Sequence, residues 1–594
     1  MTTTIEELTA AVAGQTVASA FLETSRARAD HVALRERGSD DSWTERTFAQ
    51  YAAEVAEVTA GLRAAGIGPG DRVVLMMRNI ASFHIVDMAV VFSGATPISI
   101  YNSSSPEQVA YLAGHCRAKL AIVEDDGFHE RFQKVHNELP ELGEIINLAG
   151  GGREALGAHG TVDLDEAAGH VTPDTLATVI YTSGTTGPPK GVMLSHFNVA
   201  YTAESLRLAF GEEIDLSGKR LVSYLPMAHI AERMTSHYLQ AIQGYEVTAC
   251  PDPALLAAYL RDVRPHIMFG VPRVWEKLHA GIAAALAADP EKKAKFDEGM
   301  AAAIPIALDR AWGRSTPEQD ATWDFLQGFA FGPVKQLVGL DELEFGITGA
   351  APIPAELLSW FQGLGVPLSE IYGMSESSGP MTWAPTRIKP GTVGPAIPGC
   401  EVALAEDGEV ICRGGNVFLG YLDDEEKTAE ALPDGWLHTG DIGVFDDEGY
   451  LHIVDRKKEL IITAGGKNIS PANLEAALKM IPLVAQACAI GDQRPFVSAL
   501  VVLDPEVAPV WAANQGLPPV SLAELAQHPD VVAEIERGVE EVMGGFNNAE
   551  RVKKVKVLGV EWVPDSEELT PTSKLKRRGI HARYAQEIEA LYET

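Results

Sequence analysis

Residues 181–191 read YTSGTTGPPKG and overlap the end of the apolar run LATVIYT (176–182). A short apolar run of this kind predicts a buried strand. The strand leads straight into hydroxyls and glycines that close on a lysine. Glycine lets backbone approach an anion closely. Ser183, Thr185 and Thr186 bring hydroxyl donors and Lys190 a positive charge. With Thr182, Gly184 and Gly187 they read as a cradle for a polyphosphate. The loop is not a Walker A motif, which needs Gly immediately before the lysine and Ser or Thr after it; Pro189 and Gly191 stand there.

The surroundings carry the same alternation outward. RVVLMM (72–77) predicts a buried strand, ASFHIVDMAVVFSG (81–94) a helix ending at glycine, TPISI (96–100) a strand, PEQVAYLAGHC (106–116) a helix and KLAIVED (119–125) a strand. This βαβαβ rhythm implies a mostly parallel sheet covered by helices. Downstream, LVSYLP (221–226), HIMFG (266–270) and LEFGIT (343–348) read as strands, ALLAAYLRDV (254–263) as a helix, and the Ala-rich, charged stretch 276–335 as a helical insertion. After about 390, short strands and turns take over, as in EVALAEDGEVICRG (401–414) and GYLHIVDR (449–456). A compact α+β segment follows, with a helix at 471–480, strands at 487–492 and 496–503, and helices near 530–543 and 576–591. The break is expected at the polar run DRKKEL (455–460), dividing the chain into 1–455 and 456–594.

Bulk properties narrow the function. The 594 residues include 48 basic and 82 acidic side chains, a formal net charge of −34. Such a surface repels nucleic acid phosphates. Against that background the basic segment LTPTSKLKRRG (569–579) stands out. The five cysteines (116, 250, 400, 412 and 488) are scattered and never form CxxC, which argues against a disulfide framework or zinc site and for reduced thiols in the cytoplasm. MTTTIEELTAA has no apolar core and does not read as a signal peptide. The longest apolar stretch, near 85–100, contains Asp87 and is shorter than the roughly 20 residues of a membrane span. Any membrane contact would be peripheral; the oligomeric state is left open.

Further strings follow YTSGTTGPPKG in order: LPMAHIAER (225–233), RPHIMFGVPRVWEK (264–277), ITGAAPI (347–353), YGMSESSG (372–379), WLHTGDIG (436–443), DRKKEL, ITAGGKNISPANLE (462–475) and LTPTSKLKRRG. The set resembles the adenylate-forming superfamily of acyl-CoA synthetases, luciferases and peptide-synthetase adenylation domains, over roughly residues 45–580. RPHIMFGVPRVWEK looks most like the bacterial long-chain fatty-acid–CoA ligases.

The resemblance implies an α/β fold: a large N-terminal domain of parallel-sheet subdomains with a small β-barrel-like subdomain, then a small mobile α+β C-terminal domain. It implies that Thr182 to Gly187 and Lys190 hold ATP phosphates, that Gly349, Ala350 and Ala351 form part of the adenine pocket, and that Tyr372 packs on adenine beside Gly373. Ser375 would bring a hydroxyl near the α-phosphate, where many relatives have Thr. Glu376, with Thr185, would hold Mg²⁺, a cation that prefers oxygen ligands. Asp441 and Arg456 would bind ribose, and Lys458 would be the hinge. Gly465, Gly466 and Lys467 would line the channel for the coenzyme A arm. His229 would sit near the substrate carboxylate, and Phe269 and Val271 along the acyl tunnel. Lys574 would be the lysine needed for adenylation, with Lys576 as runner-up; many relatives have Gly where this chain has Ser573. An aromatic tunnel gate is not expected, since Ala231, Glu232 and Arg233 follow the His229 region.

The expected reaction joins a fatty acid to CoA with ATP, through an acyl-adenylate, giving AMP and diphosphate. The alternatives are a ligase that passes the acyl group to a carrier protein, a CoA ligase for a shorter or aryl acid, and a nucleotide-binding protein without catalysis.

Overall fold

The structure, a computed structural model, describes residues 3–593 apart from 39, 183–187, 212–213, 463–467, 549 and 571–572. Its largest sheet has seven strands in the order Leu368–Glu370, Phe345–Thr348, Ile267–Gly270, Arg220–Ser223, Glu246–Ala249, Val32–Arg37 and Trp43–Thr47. Neighbours are parallel except the last pair, an antiparallel hairpin at the edge. A second sheet, Thr96–Ser99, Arg72–Met76, Leu120–Val123 and Glu144–Asn147, is parallel throughout. Against it, through the Thr178 hydroxyl donating to Pro97 O at 2.8 Å, lies Leu176–Thr182, antiparallel to Lys190–Ser195. The central strands of both parallel sheets are buried along nearly their whole length, as sheets covered on both faces require.

The helix Ala81–Phe92 shows why its sequence is apolar all round: eleven of its twelve residues are buried. Each fully buried Val or Phe there stabilises by about 1.5–3 kcal/mol. Its two buried polar members, His84 and Asp87, are met from another element, though His84 Nε2 has no partner among the described residues. Asp87 is fully buried and accepts from the guanidinium of Arg233 and, at 2.9 Å, from His237 Nε2. His237 Nδ1 lies 3.1 Å from His84 Nδ1, so one chain of tautomers serves both rings. Arg233 also donates to Ser99 Oγ at 2.9 Å and Tyr238 OH at 2.8 Å. Deleting one partner of such a buried pair costs about 3–5 kcal/mol.

The insertion is helical: Pro272–Ala287, Pro290–Ala311, Pro317–Leu326 and Gly332–Val338. Proline in the first turn and side-chain caps from Asp289 and Thr316 set the starts of the second and third. The β subdomain is a four-stranded antiparallel meander, Cys400–Leu404, Glu409–Gly414, Leu437–Phe445 and Leu451–Arg456. Beyond it a separate C-terminal domain packs helices on the sheet Val484–Ile490, Val497–Leu503 and Val552–Leu558, with cores of its own around Leu478, Val501 and Ile535 and around Leu500, Trp562 and Ile580. Among the described residues no helix is long and apolar enough to cross a membrane.

Candidate active site

A cavity of about 1480 Å³ opens where the seven-stranded sheet, the meander and the C-terminal domain meet. Ala350–Ala355 and Ile371–Glu376, which follow the carboxyl ends of two parallel strands, form one wall, the usual place for a ligand site in such sheets.

One limb is polar. The register of the meander sets Asp441 opposite Arg456, with Arg456 Nε 3.2 Å from Asp441 Oδ1. Tyr372 OH donates to Asp441 Oδ2 at 2.7 Å. Burial raises the Asp441 pKa even against the opposing pull of Arg456 and Tyr372. Glu376 is buried, and its hydrogen-bond partner among the described residues is the neutral phenol of Tyr421, at 2.8 Å. Lys190, paired with Thr182 across the hairpin, places Nζ 4.5 Å from the centre of the Tyr421 ring, a cation–π contact. The loop between them, Ser183, Gly184, Thr185, Thr186 and Gly187, lies outside the described residues. A buried carboxylate with lone pairs to spare, sharing Tyr421 with a lysine, suits Mg²⁺, which takes one or two carboxylates and fills its remaining positions with water and phosphate oxygens.

Lys574 reaches this limb from the C-terminal domain. Its N–H donates to Thr570 Oγ1 at 3.0 Å, and its carbonyl accepts from Thr570 N at 2.8 Å. Ser573 holds φ +60, a left-handed conformation costing a non-glycine residue roughly 1–2 kcal/mol. Lys574 is open to solvent through the cavity, yet enough protein surrounds its amine that burial first, and the Arg456 charge second, lower its pKa to about 8. Lys576 points elsewhere, donating to Ser566 O at 2.8 Å. His229 caps the helix Ile230–Glu232 by accepting at Nδ1 from Ala231 N–H at 3.2 Å, which leaves Nε2 carrying the proton. Burial, helped by Lys574, pushes its pKa down to about 3, so the ring is neutral near pH 7.

The other limb is apolar. Ile230, Met234 and Leu239 descend one helical run, faced by Leu221, Phe269 and Phe210, with Tyr245 also in the wall.

A model of AMP-binding enzymes matches residues 21–422, and one of the AMP-binding enzyme C-terminal domain matches 458–594. The chain belongs to the AMP-binding enzyme family. It is 35% identical over 598 residues to the long-chain-fatty-acid–CoA ligase FadD15 of Mycobacterium bovis, covering 97% of each chain. It is 34% identical over 626 residues to the long-chain-fatty-acid–CoA ligase ACSBG2 of Xenopus laevis, covering 97% of this chain and 84% of that one. Among solved structures, the A domain of carboxylic acid reductase from Segniliparus rugosus, in complex with AMP and a co-purified carboxylic acid, superposes with TM-score 0.74 at 19% identity over 99% of this chain and 96% of that one. ATP-bound MatB from Rhodopseudomonas palustris gives 0.68 at 22% identity over 96% and 99%.

Within this AMP-binding enzyme the structure brings Thr182, Lys190, His229, Phe269, Ala350, Ala351, Tyr372, Gly373, Ser375, Glu376, Asp441, Arg456, Lys458 and Lys574 onto one cavity. Gly465, Gly466 and Lys467 lie outside the described residues. Two expected residues are not in the wall. Gly349 sits just behind Ala350, packed so closely that an added Cβ would meet Ile371 Cγ2 and O at 2.9 Å. Val271 does not line the acyl limb: its strand ends at Gly270 and Pro272 starts a helix, so the alternation that aims Phe269 into the cavity stops one residue short. Arg273, Glu276 and Lys277 of the same string face the C-terminal domain instead.

Two features escaped the sequence. Ala350 adopts φ +69, a strained backbone of the kind that collects at binding sites. Glu370, at the end of the strand Leu368–Glu370, lines the cavity, and burial alone raises its pKa to about 8. The sequence signal was a lone acid two residues before Tyr372, with nothing to distinguish it from a surface residue.

Proposed function

We propose that this AMP-binding enzyme is a long-chain fatty-acid–CoA ligase: ATP, a fatty acid and CoA give acyl-CoA, AMP and diphosphate through an acyl-adenylate. The observation that carries it is the meeting, in one cavity, of Lys574 from the C-terminal domain with Glu376, Asp441 and Arg456, continuous with a wall of apolar side chains that includes Phe210, Leu221, Met234 and Phe269.

A carboxylate is a poor acyl donor because oxide would have to leave. In the first step a carboxylate oxygen attacks the α-phosphorus of ATP, the bond to the β-phosphate oxygen breaks, and diphosphate departs. Several negative charges must share the polar limb. Lys190 and the loop 182–187 hold the β- and γ-phosphates. Asp441 and Arg456 fix the ribose, with Tyr372 bracing Asp441 and stacking on the base beside Ala350, Ala351 and Gly373. The Ser375 hydroxyl and the Lys574 ammonium face the α-phosphate, Lys574 bridging it to the attacking carboxylate, where charge shifts in the transition state. His229 orients the carboxylate through Nε2–H; with Nδ1 occupied and a pKa of about 3 it is a poor proton acceptor. Mg²⁺, held by Glu376 and Thr185, would neutralise phosphate charge. In the second step the CoA thiol gives its proton to solvent, its sulfur attacks the acyl carbon, the bond from that carbon to the phosphate oxygen breaks, and AMP leaves.

The domains are taken as 1–455 and 456–594, divided at the last residue of the strand Leu451–Arg456, with Lys458 as the hinge about which the C-terminal domain turns. Rotation withdraws Lys574 and brings the Gly465–Lys467 segment toward the acyl group. The acyl substrate arrives from membranes or carriers, so peripheral membrane contact and a cytoplasmic location complete the reading.

The test incubates the protein with MgATP, acids of increasing chain length, and CoA or no acceptor, measuring diphosphate and thioester. CoA-dependent thioester, best with long acids, is expected. Diphosphate without thioester would point to a carrier-protein acceptor, and best turnover on aryl acids would remove the long-chain assignment.

A further inference from the structure

The helix Pro272–Ala287 follows the acyl-wall strand Ile267–Gly270 directly, yet its first turns face the C-terminal domain. There four charges alternate across the domain boundary. Asp504 of the C-terminal domain accepts from the Arg273 guanidinium. Arg273 NH1 lies 3.5 Å from Glu276 Oε2, and Lys479 Nζ of the C-terminal domain lies 3.3 Å from Glu276 Oε1. The four side chains are largely withdrawn from solvent, with exposures of 6% for Asp504, 27% for Arg273, 6% for Glu276 and 17% for Lys479. Lys277 and Glu506 add a pair at 3.0 Å, both largely exposed, which contributes little.

The network is anchored at both ends. Asp504 terminates the strand Val497–Leu503, and its Oδ1 accepts from Glu506 N at 2.9 Å and Val507 N at 3.0 Å. These bonds and the Arg273 charge hold the carboxyl ionised against the effect of burial. Lys479 caps the helix Pro471–Leu478, and the next residue, Met480, packs on the core that contains Trp275. Glu276 has no hydrogen-bond partner among the described residues. Its ionic partners are Arg273 on its own helix and Lys479 across the boundary, so the alternation −, +, −, + is completed only when the two domains meet as they do here. This is also the arrangement that puts Lys574 in the cavity.

We propose that Arg273 and Glu276 are positioning residues for the first half-reaction: with Asp504 and Lys479 they hold the C-terminal domain in the orientation that delivers Lys574. The proposal rests on the role given to Lys574. None of the four contacts the reacting atoms. Their effect is on the population of the adenylating arrangement, which a bistable interface converts into a preference between the two half-reactions.

The test measures the half-reactions separately: diphosphate release with MgATP and fatty acid in the absence of CoA, and thioester formation from supplied acyl-adenylate and CoA. R273E sets two acids against each other across the boundary and should slow the first half-reaction ~10-fold or more, while the second is unchanged or faster. R273E combined with D504R re-pairs the charges across the boundary and should recover part of the first half-reaction, Glu276 still lying beside the new acid. Because Asp504 also holds the start of a helix, the pair E276K with K479E gives an independent exchange: each single change slows adenylation and the double recovers part of it. Failure of both doubles to recover, or equal loss of both half-reactions in the singles, overturns the proposal. K574A separates it from its foundation: if K574A leaves adenylation intact, the reading of Lys574 fails; if K574A abolishes it while R273E and E276K do not slow it, only the positioning role fails.

Discussion

The two limbs of the cavity are built on opposite plans. The polar limb is assembled from short contiguous strings, Tyr372 to Glu376, Asp441, Arg456 and Lys574, each tied by a directional contact such as Tyr372 OH to Asp441 at 2.7 Å. The apolar limb draws Phe210, Leu221, Tyr245 and Phe269 singly from separated segments, with Ile230, Met234 and Leu239 along one helical run. Charges and hydrogen bonds must be met by particular atoms in particular places, so the polar limb tolerates few alternatives. Apolar contact is non-directional and depends on area and volume, so many side chains serve. Chemistry is therefore written locally and substrate choice diffusely.

The contrast makes predictions of graded size. Lys574→Ala should lower adenylate formation by about 10²–10³-fold, the loss seen when one charge-stabilising donor is removed. Thioester formation from supplied acyl-adenylate should be largely spared, and diphosphate and thioester assays read the two apart. Equal loss of both would erase the distinction between the limbs' roles.

Next is a pH effect. The Lys574 amine has its pKa lowered to about 8, so it is charged below that value and neutral above it. The kcat/KM of the first half-reaction should therefore fall as pH rises through about 8; Lys574→Arg should move that limb to higher pH. A profile unchanged by the arginine would assign the limb to another group.

The apolar limb should answer differently. Met234→Trp shortens it, moving the preference toward shorter acids by about tenfold or more, since one methylene in an apolar pocket is worth about 1–3 kcal/mol. Turnover of a short acid should hardly change. A uniform loss across chain lengths would place Met234 outside the acyl path. Smallest of all, Ser573→Gly should relieve the left-handed φ of +60, stabilising by about 1 kcal/mol. A higher Tm with unaltered adenylation is expected; a lower one would contradict the strain.

These differences also decide what the sequence revealed. The parallel strands were readable because burial on both faces demands unbroken apolar runs, as in 72–76 and 120–123. The edge hairpin Val32–Arg37 with Trp43–Thr47 was not: it mixes Arg and Glu with its apolar residues, and its partner Glu246–Ala249 is some two hundred residues away. Lys574 was found from its string, but the choice over Lys576 needed the hydrogen bond that ties Lys576 to Ser566. Asp87, which looked like a blemish in an apolar stretch, is balanced by Arg233 and His237 about 150 residues on. Glu370 and the φ of Ala350 have no local signature, because each is produced by what surrounds it.

The cysteines carry one more consequence. All five are buried, and none lines the cavity. Burial alone or with neighbouring groups drives the thiols of Cys116, Cys250 and Cys488 up to about 12. A mixed anhydride is indiscriminate toward sulfur nucleophiles, and a thiolate is the reactive form. An enzyme that makes such an anhydride in solution-facing space protects itself by keeping its own sulfur protonated and out of reach, so that the incoming cosubstrate offers the acyl group its first accessible thiol.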